Sequence, residues 1–229
     1  MTTRTREQLA AATGLAAAVL FGISFVIGLS PDPPAMDDSA VATATYVAQN
    51  QDAIHVQILL NTLALLAFLW FLGSVRAGLR GAEGGAGRVS AIASGGGLVG
   101  TAFLLLAQVF LATAALRPEE TDPGLIRTLI DLDALSIGLG GAAFAVFFLA
   151  VGVAALIDGG LPSVLGWLAI IAAAAAAIGV VTIFTTEGVF AADGAFGFWA
   201  RYGAFVAWIA VASIMLVFAA PARRRGGRR

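Results

Sequence analysis

Six separate stretches of this chain are each long and apolar enough to cross a lipid bilayer, and that constrains the fold more than any other feature. A spanning helix needs about 20 mostly apolar residues. The stretches cover residues 9–29, 54–79, 89–116, 129–157, 164–186 and 198–220. Each ends where helix breakers or charges gather: Pro31, Pro33 and Pro34, then Arg80 to Gly85, Arg117 to Glu120, Asp158 to Pro162, and Pro221. Such residues belong where a chain leaves the membrane. Inside the bilayer every backbone polar group must be satisfied within the protein, which leaves helices as the form for apolar runs of this length. The predicted fold is therefore all-α, a polytopic bundle of six transmembrane helices. It forms a single transmembrane domain over residues 1–229 with a basic tail at 221–229. Composition agrees, since only 12% of residues are charged against roughly 25% in soluble domains.

Arg4 and Arg6 before the first apolar run suggest a signal peptide. The run is too long for that, no small-residue cleavage site follows, and Pro31 stands where cleavage would occur. An uncleaved anchor is expected. The first loop is the longest. Asp37-Asp38-Ser39 offers an N-cap, and Val41, Ala44, Val47 and Ala48 recur at helical spacing. A short external amphipathic helix covering the bundle mouth and running into the second span is predicted.

Orientation follows from the basic residues. All thirteen are Arg, and ten of them fall on one side: Arg4, Arg6, Arg76, Arg80, Arg88, Arg223, Arg224, Arg225, Arg228 and Arg229. Arg117, Arg127 and Arg201 lie on the other, with most of the acids. Both termini are predicted to be cytoplasmic in a bacterial plasma membrane. The Arg223 to Arg229 tail is expected to meet anionic lipid, at about 1 kcal/mol per residue. Gly95-Gly96-Gly97 with Gly100, Gly138 with Gly140-Gly141, and Ala172 to Ala177 give small faces on which helices pack closely. A homo-oligomer through such a face is a further expected partnership; nucleic acid is not.

Several chemistries are excluded. Without Cys or Lys, and with His55 as the single His, the chain has no disulfide, thiol nucleophile, lysine Schiff base, P-loop lysine or multi-His metal site. No HExxH or GxSxG motif occurs. No catalytic residue, metal or cofactor is predicted.

Polar residues inside spans are costly and mark functional candidates. Here the ionisable ones are confined to the outer half. Span two carries His55, Gln57 and Asn61; span three carries Gln108; Arg127, Asp131 and Asp133 open span four; Thr182, Thr185, Thr186 and Glu187 end span five; Arg201 and Tyr202 open span six. At 100° per residue, Gln57 and Asn61 share one face of span two, and His55 shares another with Thr62. Arg127 and Asp131 form an i,i+4 pair. Arg201 is expected to pair with Asp131 or Asp133, because an unpaired charge at that depth is expensive. Two readings stay open. The polar set is either a ring of interface anchors, with Trp199, Tyr202 and Trp208 in the aromatic belt, or an outward-facing pocket. The pocket would be lined by Asn61, Gln108, Asp131, Asp133, Glu187, Arg201 and Tyr202. The inner half offers only hydroxyls, so a proton relay or ion path is not expected. Gly95 to Gly97 is the one place where a helix could loosen.

The run from Thr45-Tyr46-Val47 through Trp70-Phe71-Leu72-Gly73, Arg76-Ala77-Gly78-Leu79-Arg80 and Leu129-Ile130-Asp131-Leu132-Asp133 to Leu161-Pro162-Ser163-Val164-Leu165-Gly166-Trp167-Leu168 resembles a group of uncharacterised multi-pass membrane proteins. They are common in high-GC Gram-positive bacteria and classed as a domain of unknown function. The resemblance implies a six-span membrane protein and carries over no activity or site residue. Binding of a small or lipid-like ligand is the first functional expectation, a structural or interaction subunit of a membrane complex the second, and an intramembrane enzyme the last.

Overall fold

The computed structural model describes residues 3–29, 32–83, 85–159 and 161–219. Among these no strand occurs. The chain forms α1 (Thr3–Gly28), α2 (Ala40–Gln49), α3 (Gln51–Arg80), α4 (Arg88–Leu116), α5 (Pro123–Ile157), α6 (Ser163–Ile178) and α7 (Arg201–Ala219). A 3-10 segment, Gly179–Phe184, prolongs α6, and a π-helical turn, Ala195–Ala200, leads into α7. Among the described residues, six helices are long and apolar enough to cross a membrane, and α2 is the short helix between the first two. The chain is an all-α multi-pass bundle. The Arg223 to Arg229 tail lies outside the described residues.

Local chemistry sets the helix ends. Ser39 caps α2, its hydroxyl accepting from the Ala42 N–H at 3.2 Å. A single residue, Asn50, separates α2 from α3. The first residue of α5 is Pro123, and Asp122 caps it by accepting from the N–H groups of Gly124 (2.8 Å) and Leu125 (3.2 Å). Aspartate at the cap and proline at the first helical position both favour a start. At the other end of the fifth span, Gly179 opens a run of β-branched residues, Val180, Val181, Thr182 and Ile183, which lose side-chain freedom in an α-helix. The Thr182 hydroxyl donates to the Gly179 carbonyl at 2.8 Å and reinforces the tighter winding.

Packing joins the spans in a closed ring in chain order: α1 on α3, α3 on α4, α4 on α5, α5 on α6, α6 on α7 and α7 on α1. Small residues bring neighbours together. A Cβ on Gly96 would stand 2.7 Å from the Ala143 carbonyl oxygen, and one on Gly100 would meet the Phe144 ring at 2.7 Å. Gly96 and Gly100 therefore seat α4 on α5, Gly97 meets Leu72 of α3, Gly95 faces open space, and α4 passes through the run unbroken. Irregular winding falls instead at Gly179–Phe184 and Ala195–Ala200.

The centre of the ring divides into two zones. Toward the end bearing the chain termini it is filled by aromatic rings. Phe68, Phe71, Phe147, Phe148 and Trp208 are buried and meet edge-on or tilted, as in Phe148–Trp208 at 5.3 Å and Phe147–Trp208 at 5.5 Å. Trp208 donates its indole N–H to the Leu165 carbonyl at 3.2 Å. It is a core residue and not part of an aromatic belt; Trp199, by contrast, is exposed. The other zone, toward α2, holds the polar residues. There α2 rests on the helix ends through Val47, which clusters with Ile54, Ala114, Ala115 and Ile126.

Candidate functional site

A cavity of about 230 Å³ occupies the polar zone, and every span contributes to its wall. Helical periodicity explains its chemistry. On α3 the lining residues are Gln57, Asn61 and Leu65, and on α5 they are Asp133, Ile137, Gly141, Phe144 and Phe148. These recur at three- and four-residue steps, so each helix presents one stripe. Each stripe is polar near α2 and apolar further in. Gln108, Arg201, Tyr202 and the Ser24 hydroxyl complete the polar part.

Some of these groups are satisfied within the protein. Asn61 donates through Nδ2 to Gln108 Oε1 at 3.4 Å. Ser24 donates to the Gln57 carbonyl at 3.3 Å, and the Tyr202 hydroxyl to the Phe21 carbonyl at 2.5 Å. The Tyr202 ring stacks with Phe25 at 5.0 Å and Phe198 at 5.5 Å, so it belongs to the cavity's aromatic wall, with its hydroxyl proton already engaged.

Two charged groups are not satisfied. Asp133 Oδ1 and Arg201 Nη1 are buried and have no hydrogen-bond partner. The expected ion pair from Arg201 to Asp131 or Asp133 does not form. Packing explains this. Arg201 lies over the start of the 3-10 segment, where a Cβ on Gly179 would be 2.6 Å from its Cδ and 2.8 Å from its Nη1. Its stem also passes Gly141, whose built Cβ would stand 3.9 Å from the Arg201 Cδ. Asp133 sits eight residues before Gly141 on α5, about 12 Å nearer α2 along the axis at 1.5 Å per residue. Two glycines thus seat the arginine away from the aspartate.

The remaining predicted residues lie elsewhere. Asp131 accepts from Arg127 Nε at 2.9 Å, and Arg127 spends its other N–H groups on the connection before α2. Its Nη1 donates to the Asp38 carbonyl at 2.8 Å and its Nη2 to the Met36 carbonyl. Met36 in turn donates its N–H to Asp193 Oδ2 at 3.1 Å. Asp131 and Glu187 line a separate outer groove of about 540 Å³ with Arg127, Thr182 and Thr185. That groove is larger, but its Arg127 and Asp131 are already paired with each other and its Glu187 is exposed. His55 is exposed.

Of the seven residues predicted to line one pocket, Asn61, Gln108, Asp133, Arg201 and Tyr202 share the central cavity, while Asp131 and Glu187 do not. Gln57 and Ser24 are additional lining residues. The i,i+4 spacing of Gln57 with Asn61 signals the former; nothing in the sequence marks Ser24, or Gly179 as the seat of Arg201. Among the described residues no cluster of three metal-ligating side chains occurs. No protein-family model, curated protein or solved structure matches the chain.

Proposed function

We propose that this chain is a ligand-binding protein of a bacterial plasma membrane, holding a small or lipid-like molecule in the central cavity. The observation that carries this reading is the pair Asp133 and Arg201. A buried charge without a partner costs several kcal/mol, and more so within a membrane span. Here two of opposite sign border the same space, and both lack a hydrogen-bond partner. A bound molecule that completes them removes the cost. The surrounding Phe, Leu and Tyr walls suit apolar parts of the same molecule.

On the distribution of arginines, the cavity faces outward and both chain ends face the cytoplasm. A reporter inserted near Glu83 should report cytoplasm, and one near Asp37 the outside; the opposite pattern overturns the orientation. The ligand is tested by native mass spectrometry of the protein extracted in mild detergent. One additional bound mass per chain is expected, with its occupancy reduced in Arg201→Gln and Asp133→Asn. A wild-type spectrum of bare polypeptide under conditions that preserve lipid adducts on other membrane proteins would refute the proposal.

A further inference from the structure

Resting on that reading of the cavity, we infer that its ligand is zwitterionic: a cationic group, such as a primary ammonium, sits against Asp133 and an anionic phosphate or carboxylate against Arg201. The two unpartnered atoms are a carboxylate oxygen and a guanidinium nitrogen, and they demand opposite partners. A purely anionic ligand would complete Arg201 and stand beside an uncompensated carboxylate. A purely cationic one would complete Asp133 and face the guanidinium. A neutral one would leave both charges without a counter-ion. Only a molecule carrying both signs satisfies both ends, and guanidinium is well matched to phosphate or carboxylate through paired N–H donors.

The two side chains do not close on each other, and Arg201 rests instead over Gly179 and Gly141. Asn61 and Gln108 border the same space, and their amides can bond to either end of such a ligand. The cavity, about 230 Å³, is smaller than the roughly 300–1,000 Å³ of sites for drug-sized molecules. It accommodates a headgroup or a free zwitterion of similar size. If the source is a lipid, the acyl chains lie outside the cavity.

The test uses full-length protein in nanodiscs of phosphatidylglycerol, with binding read by native mass spectrometry and thermal shift. The probes are phosphatidylethanolamine, phosphoethanolamine, glycerol phosphate and ethanolamine. Wild type should prefer the zwitterion over its anion-only and cation-only counterparts by about tenfold or more. Asp133→Asn should abolish the preference for phosphatidylethanolamine over phosphatidylglycerol by raising retention of the latter, a gain that misfolding does not produce. Arg201→Gln should lose all three phosphate-bearing probes. Binding of phosphatidylethanolamine alone identifies a lipid headgroup as the source; equal binding of phosphoethanolamine identifies a free zwitterion. Equal retention of zwitterion and anion by wild type, a preference that survives Asp133→Asn, or no binding of any probe overturns the inference. The broader reading fails separately, when the protein as extracted carries no bound mass.

Discussion

Arg201 owes its position to a missing atom on Gly179. The glycine has φ -56° and ψ -21°, a conformation that alanine adopts freely, so backbone strain plays no part. Replacing it with alanine gains about 0.4–1 kcal/mol from a less flexible unfolded chain. Against this stands overpacking, typically about 1–3 kcal/mol, because the new methyl would press on the Arg201 side chain at 2.6 Å. A long, flexible side chain can swing away where backbone cannot, so Arg201 yields and most of that cost is avoided. Gly179→Ala should therefore unfold within about 1 kcal/mol of wild type while retaining its ligand about tenfold less. Gly203, two residues beyond Arg201, has no atom within 4 Å of its built Cβ. Gly203→Ala should leave ligand retention unchanged and stability unchanged or slightly raised. Thermal unfolding and native mass spectra of the two variants make the comparison. Equal ligand retention in both would show that the guanidinium position is not set by Gly179.

At the scale of elements, the entry to α4 shows how a span begins without a side-chain cap on its own N-cap residue. Gly87 occupies that position with φ 69°, a left-handed conformation suited to glycine. The cap comes from the preceding turn, where Glu83 Oε1 accepts from the N–H groups of Val89 at 2.6 Å and Ser90 at 3.0 Å. These are two of the donors that a helix start leaves unpaired. The Ser90 side chain, then the backbone N–H groups of Ser90 and Val89, hold the Glu83 carboxyl below its ordinary value of 4.5, against some desolvation. A carboxyl depressed in the folded state stabilises above its unfolded pKa, and the contribution disappears as pH falls through the folded value. The wild-type thermal midpoint should thus decline on acidification below about 4.5, and Glu83→Gln should lack that part of the decline. Identical acid profiles would remove Glu83 as the cap.

Legibility in the sequence divides along the same line between local and long-range information. The six spans and the Asp122-Pro123 helix start are signals within one segment, and local chemistry suffices to read them. The predicted fourth span began at residue 129, whereas α5 starts at Pro123, because a helix continues past the apolar run into its charged flank. The α-helix of the fifth span ends at Ile178, before the predicted limit, where Gly179 lies under Arg201 and β-branched residues follow. The helical wheel correctly groups Gln57 with Asn61, but it carries no information about register between helices. It could not place Asp131 and Asp133 in different sites, nor seat Arg201 on Gly179, nor bring Trp208 into the core.

On the scale of the whole molecule, the ring of six spans encloses two environments in series, and this order decides what can pass. The polar cavity ends against Phe144, Phe148 and Phe205. Beyond them Phe68, Phe71, Phe147 and Trp208 fill the centre, each at most 1% exposed. Moving an ion or proton onward requires water, a side-chain relay or unwound backbone. The aromatic zone offers none of these among the described residues. Its buried hydroxyls are already engaged: Thr101 donates to the Gly97 carbonyl at 2.7 Å and Ser213 to the Ala11 carbonyl at 2.6 Å. The irregular winding at Gly179–Phe184 and Ala195–Ala200 lies beside the cavity, so the loosened backbone is not at the barrier. Vesicles containing the protein should show no proton or cation flux above protein-free vesicles, under either a pH gradient or a membrane potential. Trp208→Ala, which removes the largest buried side chain from this zone, costs about 3–5 kcal/mol of stability. It leaves an apolar void that stays dry, so it too should leak no ions. A wild-type flux abolished by Asp133→Asn would mean that the cavity is the mouth of a pathway and that the aromatic zone opens.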